Sequence, residues 1–324
     1  MAHAELTTRI LPAGDEAGWD RFVAGSNNGT LFHRLTFLGY HPAGRFRFRH
    51  LEVLRGGELV AVVPGGVDAD GLYRSPLGAS VGGVVLRTGT RTHDAAEIVR
   101  AIKDASVEEG WGGVAMTLAP PAWHVEPNEL LEFALSHSGF VLARRWLTYM
   151  IPLGGGDATK RFSKGTRAAA RAARRDGDIS VREGGADLLP LFDPLFEATY
   201  KRLQTSPTHS RAEIADLMER CPESLRIWVA SSGGEPIVAV LLFILNAQAC
   251  TTFYICSRET DDRSRGSAVL FATMADALAE RGYRYLDLGP SAGPDGMNAG
   301  VISFKEHLGA VGMCRDEYRW DRTS

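Results

Sequence analysis

Stretches in which apolar and polar residues alternate predict β-strands in both halves of the chain. Residues 46–54 alternate in this way, and the glycine pair that follows them favours a hairpin turn into a second strand at 58–64. The second half has the same pattern, and there we predict strands at 226–231, 236–246 and 249–256 and a terminal strand at 314–320.

Other segments of the chain, between these predicted strands, have apolar residues at helical spacing. Residues 93–109 carry their apolar side chains on one face and are followed by Gly110, a residue that commonly ends helices. A second helix is predicted at about 158–176 and a third after Gly266. Strands that alternate with helices indicate an α/β fold.

The two halves repeat one order of elements. Gly56–Val62 recurs as Gly233–Val240, and the helix-ending Gly110 has its counterpart in Gly282. A repeat of this length predicts a duplicated domain, with the Gly-rich segment 152–157 as the hinge. We place the first domain at 1–153, the second at 154–312 and a C-terminal strand at 313–324.

Composition indicates a soluble globular protein. The 324 residues are 44% hydrophobic and 23% charged, and the net charge of −3 gives no global attraction to nucleic acid or to membranes. The four cysteines show no metal-ligand spacing, and no metal site is predicted. The first residues lack the apolar run of a signal peptide, and no stretch is long enough to span a membrane, so we expect a cytoplasmic protein.

Basic residues recur along one side of the predicted helix at 158–176. Lys160, Lys164, Arg167, Arg171 and Arg174 follow one another at intervals of three and four residues. Like charges at this spacing each destabilise a helix by about 0.2–0.5 kcal/mol. A phosphate-bearing ligand such as RNA would compensate for the repulsion, and this predicts a donor site at Lys164, Arg167 and Arg171. A solvated surface helix remains the alternative.

Residues 263–268 fit the Arg-x-x-Gly-x-Ala loop of the GNAT acetyltransferases. In that family the backbone amides at a helix N-terminus hold the pyrophosphate of coenzyme A. The resemblance implies that Arg263, Gly266 and Ala268 bind the donor. The start of a helix capped by Ser267 explains the same residues without a ligand.

Residues 298–310 resemble the Phe-Lys-x-x-Phe-Gly-Ala stretch near the C-terminus of FemAB-type acyltransferases. These are tandem GNAT-like proteins that include the aminoacyl-tRNA-dependent peptidoglycan bridge enzymes. Leu308 stands where the family usually has an aromatic residue. The segments 30–38, 164–177, 200–211 and 282–289 also resemble the family, so the likeness covers most of the chain.

The resemblance implies two tandem GNAT-like domains, each a mixed, mostly antiparallel sheet flanked by helices. The first domain would lack chemistry, and the C-terminal strand would complete its sheet. The resemblance also implies that Lys305 faces the reacting carbonyl with the Phe304 backbone beside it. One donor at an oxyanion is worth about 10²–10³ in rate, and a lysine with a reference pKa of about 10.4 is charged and acts as a stabiliser. From spacing alone, Lys305 would be an exposed residue.

The attacking ammonium must also lose a proton. His209 lies in a predicted loop and titrates near neutrality, so it is one candidate base, although a capping or exposed histidine is the alternative. Asp287, at the end of a strand, is a second candidate. Tyr200, Arg202 and Arg211 could hold an acidic substrate.

We therefore expect an N-acyltransferase that forms an amide, with aminoacyl-tRNA as donor and the amine of a cell-wall-type or specialised-metabolite precursor as acceptor. An acyl-coenzyme A-dependent GNAT enzyme is the first alternative, and a catalytically silent binding protein is the second. The donor would be a co-substrate, and no tightly bound cofactor is expected. The sequence does not determine the acceptor, the acyl group or the oligomeric state.

Overall fold

The chain divides into two units. The computed structural model describes residues 5–12, 14–260 and 262–322. One unit contains the residues up to Trp146 and those from Cys314 onward, and the other is Leu147–Met313. The division falls inside a long strand and not in the glycine-rich segment 152–157, where we had placed a hinge.

The first unit begins with short strands and helices. They are β1 (Leu6–Ile10), α1 (Glu16–Ala24), α2 (Leu35–Leu38), β2 (Leu51–Arg55), β3 (Glu58–Val63), β4 (Gly66–Val67), β5 (Tyr73–Ser75), β6 (Val85–Leu86) and α3 (Thr92–Glu108). Then follow β7 (Gly113–Thr117), α4 (Leu130–His137) and β8 (Val141–Pro152), which continues into the second unit.

The predicted hairpin in the first unit is present, but its first strand is shorter than predicted. β2 begins at Leu51, and only an isolated bridge from Phe48 to Gly66 represents the residues before it. The segment 30–38, where a strand–helix entry was expected, contains the 3₁₀ turn Leu31–His33 and α2. The sheet order is β1-β2-β3-β6, all antiparallel, and α3 and α4 cover an apolar core below it.

The second unit has a larger sheet. Its elements are α5 (Lys164–Asp176), β9 (Ile179–Gly184), α6 (Leu189–Leu203), α7 (Arg211–Arg220), β10 (Leu225–Ser232), β11 (Glu235–Ile244), β12 (Ala249–Ser257), α8 (Arg263–Glu280), β13 (Tyr285–Gly293), β14 (Gly296–Met297) and α9 (Ala299–His307). The last strand, β15 (Val311–Asp321), begins in this unit and belongs to the first unit from Cys314 onward. The strand order is β8-β13-β12-β11-β10-β9. Only β12 and β13 pair in parallel, and β14 pairs with β13.

The last strands of the two repeats are exchanged. β8 follows the last helix of the first repeat and pairs with β13, whereas β15 follows the last helix of the second repeat and pairs with β7. Residues Cys314 onward therefore belong to the first unit. The tertiary pairing of these strands, and not their order in the chain, decides which unit each completes.

Two predicted helices differ from the structure. The segment 158–176 is interrupted: a 3₁₀ turn at Ala158–Arg161 is followed by α5, which starts after its N-cap Ser163. Lys160 consequently does not lie on the same helix as Lys164. The helix expected after Gly266 begins earlier, at Arg263, so Ser267 is not its N-cap.

The described residues contain neither a candidate membrane span nor a metal cluster. No helix in them is both long and apolar enough to cross a membrane. Within the same residues, no group of three or more His, Cys, Asp or Glu side chains could hold a metal ion. The cytoplasmic location stays a prediction.

Candidate active site

Lys305 lies on α9, whose first turn is capped by the side chain of Asn298. The lysine is only 3% exposed, because it points back against the end of β13. Its Nζ donates to the carbonyl oxygens of Gly289 at 2.6 Å and Pro290 at 3.5 Å, and lies 6.0 Å from the centroid of the Tyr149 ring. The two carbonyl oxygens and the Tyr149 ring thus fix the position of the lysine head group.

Asp287 organises the turn that holds this lysine. It is fully buried, and its Oδ1 accepts from the Gly289 amide at 2.5 Å and from the Thr148 hydroxyl at 2.6 Å. A bond from an aspartate to the amide two residues on is an Asx-turn, and Gly289 at its end has a φ of +79°, which favours glycine. The turn directs the Gly289 carbonyl at Lys305, so two of the predicted catalytic residues are brought together.

The strands on either side of this turn separate at Asp287. β12 and β13 pair only from Ala249–Tyr285 to Thr251–Asp287. Beyond that point β12 stays with β11, whereas β13 pairs with β8. The carboxyl ends of adjacent parallel strands are a common place for ligands, and the gap between them opens directly at Asp287.

His209 packs against β12 and is buried, so the alternative of an exposed histidine does not hold. Its Nδ1 lies 2.9 Å from the hydroxyl of Tyr254, and its ring packs edge-on against Phe253. Phe253 is skipped in the pairing of β12 with β11, a β-bulge of the kind that re-aims side chains near sites. Tyr254 is three residues beyond Thr251, about 10 Å along the strand, so His209 lies in the same cleft region but does not join the Asp287 turn.

Tyr200 and Arg202 lie at the same end of β12. The Tyr200 ring packs against Tyr254 at 5.9 Å, and burial raises the pKa of its hydroxyl to about 12, so the hydroxyl is neutral. Arg202 donates to the Ser257 carbonyl at 3.0 Å and lies 3.9 Å from Glu259. Arg211 is exposed at the start of α7. Binding of an acidic substrate by Tyr200, Arg202 and Arg211 stays a prediction.

Phe304 packs rather than faces the gap. Its ring meets Phe271 edge-to-face at 5.7 Å, and its carbonyl accepts from the Leu308 amide at the end of α9. The predicted role of its backbone at the reacting carbonyl stays a prediction.

The predicted coenzyme A loop is the first turn of α8. The Gly266 amide donates to the Asp262 carbonyl at 2.7 Å, and a Cβ on Gly266 would lie 2.5 Å from Ile237, so this glycine serves helix–sheet packing. Ala268 is buried in the core. Open, glycine-lined backbone is therefore not found at these positions.

Acidic side chains surround the arginines of this turn. Arg263 pairs with Glu259 at 3.3 Å. Arg265 pairs with three aspartates, Asp178 at 2.7 Å, Asp176 at 3.1 Å and Asp262 at 3.3 Å. The charge that would attract a pyrophosphate is thus largely neutralised within the protein.

The cations of α5 are in different states. Arg167 donates to the carbonyls of Lys160 and Phe162, and Arg171 lies 3.4 Å from Asp157. Lys164 is exposed and has no acceptor among the residues that the structure describes. Arg167 therefore fixes the turn before α5, and Lys164 is the donor-site candidate of this helix that remains open to a ligand.

Sequence reasoning missed the residues that position Lys305. Thr148 and Tyr149 lie in β8, the strand that leaves the first repeat, and their apolar neighbours gave no sign of a site. Tyr254 was read only as part of an apolar strand. These residues belong to the candidate site because their strands lie beside one another in the sheet, which spacing along the chain does not reveal.

Comparisons with known proteins agree with this geometry. Residues 160–297 match the family model described as acetyltransferase (GNAT) domain. The match lies in the second repeat of the chain. This confirms the predicted α/β fold and enzyme class. No curated protein matches the sequence of the chain.

Solved structures extend the likeness to the whole chain. A crystal structure of FemX is 13% identical, with 97% of each chain covered and a TM-score of 0.75. L-PGS from Bacillus licheniformis is 14% identical over 98% of this chain and 94% of that one, with a TM-score of 0.62. A tandem GNAT protein from the clavulanic acid biosynthesis pathway is 12% identical over 99% and 100%, with a TM-score of 0.53. At these identities the likeness concerns the fold, and the predicted FemAB-like tandem GNAT fold is confirmed.

Proposed function

We propose that the chain transfers an aminoacyl group from a charged tRNA to the amine of a small acceptor of cell-wall or specialised-metabolite type. The observation that carries the proposal is the contrast between two charged regions of the GNAT domain. The arginines at the start of α8 are paired with acids. The cations Lys160, Arg161 and Lys164, by contrast, have no acidic partner in the described part of the chain.

These open cations adjoin the helix that carries Lys305. The amide of Ser163 donates to the carbonyl of His307 at 2.9 Å, so the segment before α5 is tied to the end of α9. A donor with several phosphates would find positive charge beside the candidate catalytic lysine. This arrangement favours an RNA-linked acyl group over coenzyme A.

The reaction would begin when the acceptor amine attacks the ester carbonyl of the aminoacyl group. The new C–N bond places negative charge on the carbonyl oxygen, and Lys305 would stabilise that charge. Collapse then breaks the C–O bond, and the ribose hydroxyl leaves with the proton that the attacking nitrogen loses. His209 and Asp287 remain the candidate groups for relaying that proton. The hydrogen bonds of Asp287 support a positioning role for it instead.

The L-PGS neighbour and FemX share the fold and support the choice only at that level. Acetyl-coenzyme A is the rival donor. The description of the tandem GNAT protein from the clavulanic acid pathway refers to this ligand, by stating that the structure is without it. A matched pair of assays decides between the donors. One measures transfer from bulk aminoacyl-tRNA, and the other measures transfer from acetyl-coenzyme A, each to a panel of amine acceptors.

We expect transfer from aminoacyl-tRNA that is lost in Lys305→Met, and no turnover with acetyl-coenzyme A. Turnover with acetyl-coenzyme A alone would contradict the proposal and favour the coenzyme A-dependent alternative. Ligand binding without transfer from either donor, unchanged in Lys305→Met, would favour a silent binding protein.

A further inference from the structure

The segment before α5 lines a cavity that the active site does not use. Its volume is about 260 Å³, and a water molecule takes up about 30 Å³ of liquid, so a group of several heavy atoms fits. The walls are the loop at 152–158, the side chains of Lys160 and Arg161, and two alanines of α8, Ala275 and Ala279.

Three successive glycines form one wall. Gly154, Gly155 and Gly156 have φ values of +99°, +84° and +89°, which residues with a side chain rarely adopt. No atom lies within 4 Å of the position of an added Cβ at any of the three, so a ligand can approach the backbone closely. Across the described residues, nothing accepts a hydrogen bond from these three amides.

The charge of the cavity is positive. Asp157 is its one acidic wall residue, and the hydrogen bond from Thr159, together with Arg171 and Arg174, holds the pKa of that carboxyl below its usual range. Arg171 and Arg174 lie 3.4 and 3.6 Å from it and take up its charge.

The remaining cavity cations, Lys160 and Arg161, have no acidic partner in the part of the chain that the structure describes. Asp276, on the neighbouring helix α8, bonds to the Ala158 amide and to Arg174. Two positive charges are therefore left without an opposite charge.

We propose that this cavity, formed by Gly154–Gly156, Lys160 and Arg161, is a phosphate-binding site. Open backbone amides and a pair of cations are the groups that bind phosphate in proteins. The cavity also adjoins α9: a Cβ on Gly309 would lie 2.5 Å from the Arg161 carbonyl oxygen. Gly309 lies two residues beyond the end of that helix.

The test measures binding of inorganic phosphate to the full chain by calorimetry, with two matched pairs of variants. Lys160→Ala with Arg161→Ala removes the cavity cations, and Lys201→Ala with Arg220→Ala removes the same charges from exposed sites of the same unit. Gly155→Glu places an acid in the cavity. Its control, Gly234→Glu, places the same acid in an open turn outside the cavity, at a glycine with almost the same φ, +85°.

We expect both cavity variants to weaken phosphate binding at least about tenfold, and both controls to change it less than about twofold. Equal losses in the cavity variants and their controls would overturn the site, because the effect would then be general electrostatics. Circular dichroism of each variant checks that the fold is retained.

Two further ligands identify the source of the phosphate. If it belongs to RNA, the cavity variants weaken binding of uncharged tRNA and reduce the salt slope by about 0.7 per lost contact, while coenzyme A is unaffected. If it belongs to coenzyme A, the pattern is reversed. The inference deepens the proposed function without depending on it: intact phosphate binding with no aminoacyl transfer would count against the function and not against the cavity.

Discussion

At the scale of single residues, the active site depends on a short turn at the end of β13. Asp287 fixes the turn through the Gly289 amide, and the carbonyl of Gly289 accepts a hydrogen bond from Lys305. The lysine is buried, so its position is set by these contacts and not by solvent. Kinetics should therefore distinguish a substitution of Lys305 from a substitution of Asp287.

Replacing Lys305 with methionine keeps the volume and removes the positive charge. We expect kcat to fall about 10²–10³-fold with little change in KM, because the interaction is made to charge that develops in the transition state. Steady-state kinetics with the donor that supports turnover measures this. Lys164→Met, an exposed lysine of the same unit, is the control and should raise KM for an RNA donor instead.

Two substitutions of Asp287 distinguish a positioning role from a role in proton transfer. Asn retains a side-chain oxygen that accepts from the Gly289 amide and from Thr148, whereas Ala removes it. We expect Asp287→Asn to keep kcat within about tenfold and Asp287→Ala to lose about 10²-fold, since small displacements of a catalytic group have effects of that size. Equal and complete loss in both variants would instead identify Asp287 as the base.

Glu132 should make the stability of the first unit depend on pH. Burial raises the pKa of its carboxyl from about 4.5 to about 7, with Glu129 and Asp316 adding negative charge nearby. The folded form therefore holds a proton that the unfolded form loses, and stability falls as pH rises from 4.5 through 7. The shift corresponds to at most about 3 kcal/mol.

Urea unfolding at pH 5 and pH 8 tests this. Glu132→Gln should lose most of the pH dependence and be more stable than the wild type at pH 8. The exposed Glu108→Gln is the control and should follow the wild type. An unchanged pH profile in Glu132→Gln would show that other groups cause it.

At the scale of elements, the starts and ends of helices decide what the site can bind. α8 begins at Arg263, three residues before the glycine that seemed to precede it, and its first turn is packed and paired with acids. α5 begins only after a separate turn, which moves Lys160 off the helix and into the cavity wall. A change of a few residues in each boundary therefore changes which cations are paired within the protein and which line the cavity.

Gly309, after α9, holds that helix against the segment before α5. Its φ is +73°, and an added Cβ would lie 2.5 Å from the carbonyl oxygen of Arg161, a backbone atom that cannot move alone. Gly282, after α8, has a φ of +90° with open space around it. We expect Gly309→Ala to lower the free energy of unfolding by about 1–3 kcal/mol more than Gly282→Ala, which bears only the backbone strain. Chemical denaturation of both variants measures the difference.

At the scale of the whole molecule, the two repeats correspond at a constant spacing over more positions than the Gly-rich motifs alone indicated. Three pairs of equivalent positions lie 170 residues apart: Pro120 and Pro290, His137 and His307, and Val141 and Val311. By the same spacing, Thr117 and Leu135 occupy in the first repeat the positions of Asp287 and Lys305. A first domain without this chemistry remains a prediction, which the two substitutions support.

The exchanged strand β15 should be required for the first unit. A chain ending at Met313 removes the antiparallel partner of β7 and the core side chain of Tyr318, whereas a chain ending at Asp321 keeps all pairs between β15 and β7. In the shorter chain we expect fast hydrogen exchange in β7 and α3, while β10–β12 stay protected. Equal protection of both units in the two chains would show that the strand is dispensable.

Prediction from sequence succeeded where one short segment contains the whole signal. The hairpin at Gly56–Gly57 and the helix at 93–109 were found in this way, whereas Asp287 and Lys305 stay predicted site residues. At the segment 263–268 the sequence left two interpretations, because small residues fit a phosphate loop as well as a helix packed on a sheet. The structure has the helix, and a donor site there stays a prediction. The glycines of the segment 152–157 predicted a hinge, and in the structure they line a cavity, a position that only the tertiary fold gives them.

The sequence by itself determined the duplication, the α/β class and the candidate lysine, because periodicity and short motifs are properties of neighbouring residues. Only the tertiary structure decided which strand completes each unit, that Asp287 positions Lys305 through Gly289, and which arginines are already paired with acids. These facts join residues far apart in the chain. The physical reason is that a charge or a carbonyl acts over a few ångströms of space, and the distance between two residues in the sequence does not fix that separation.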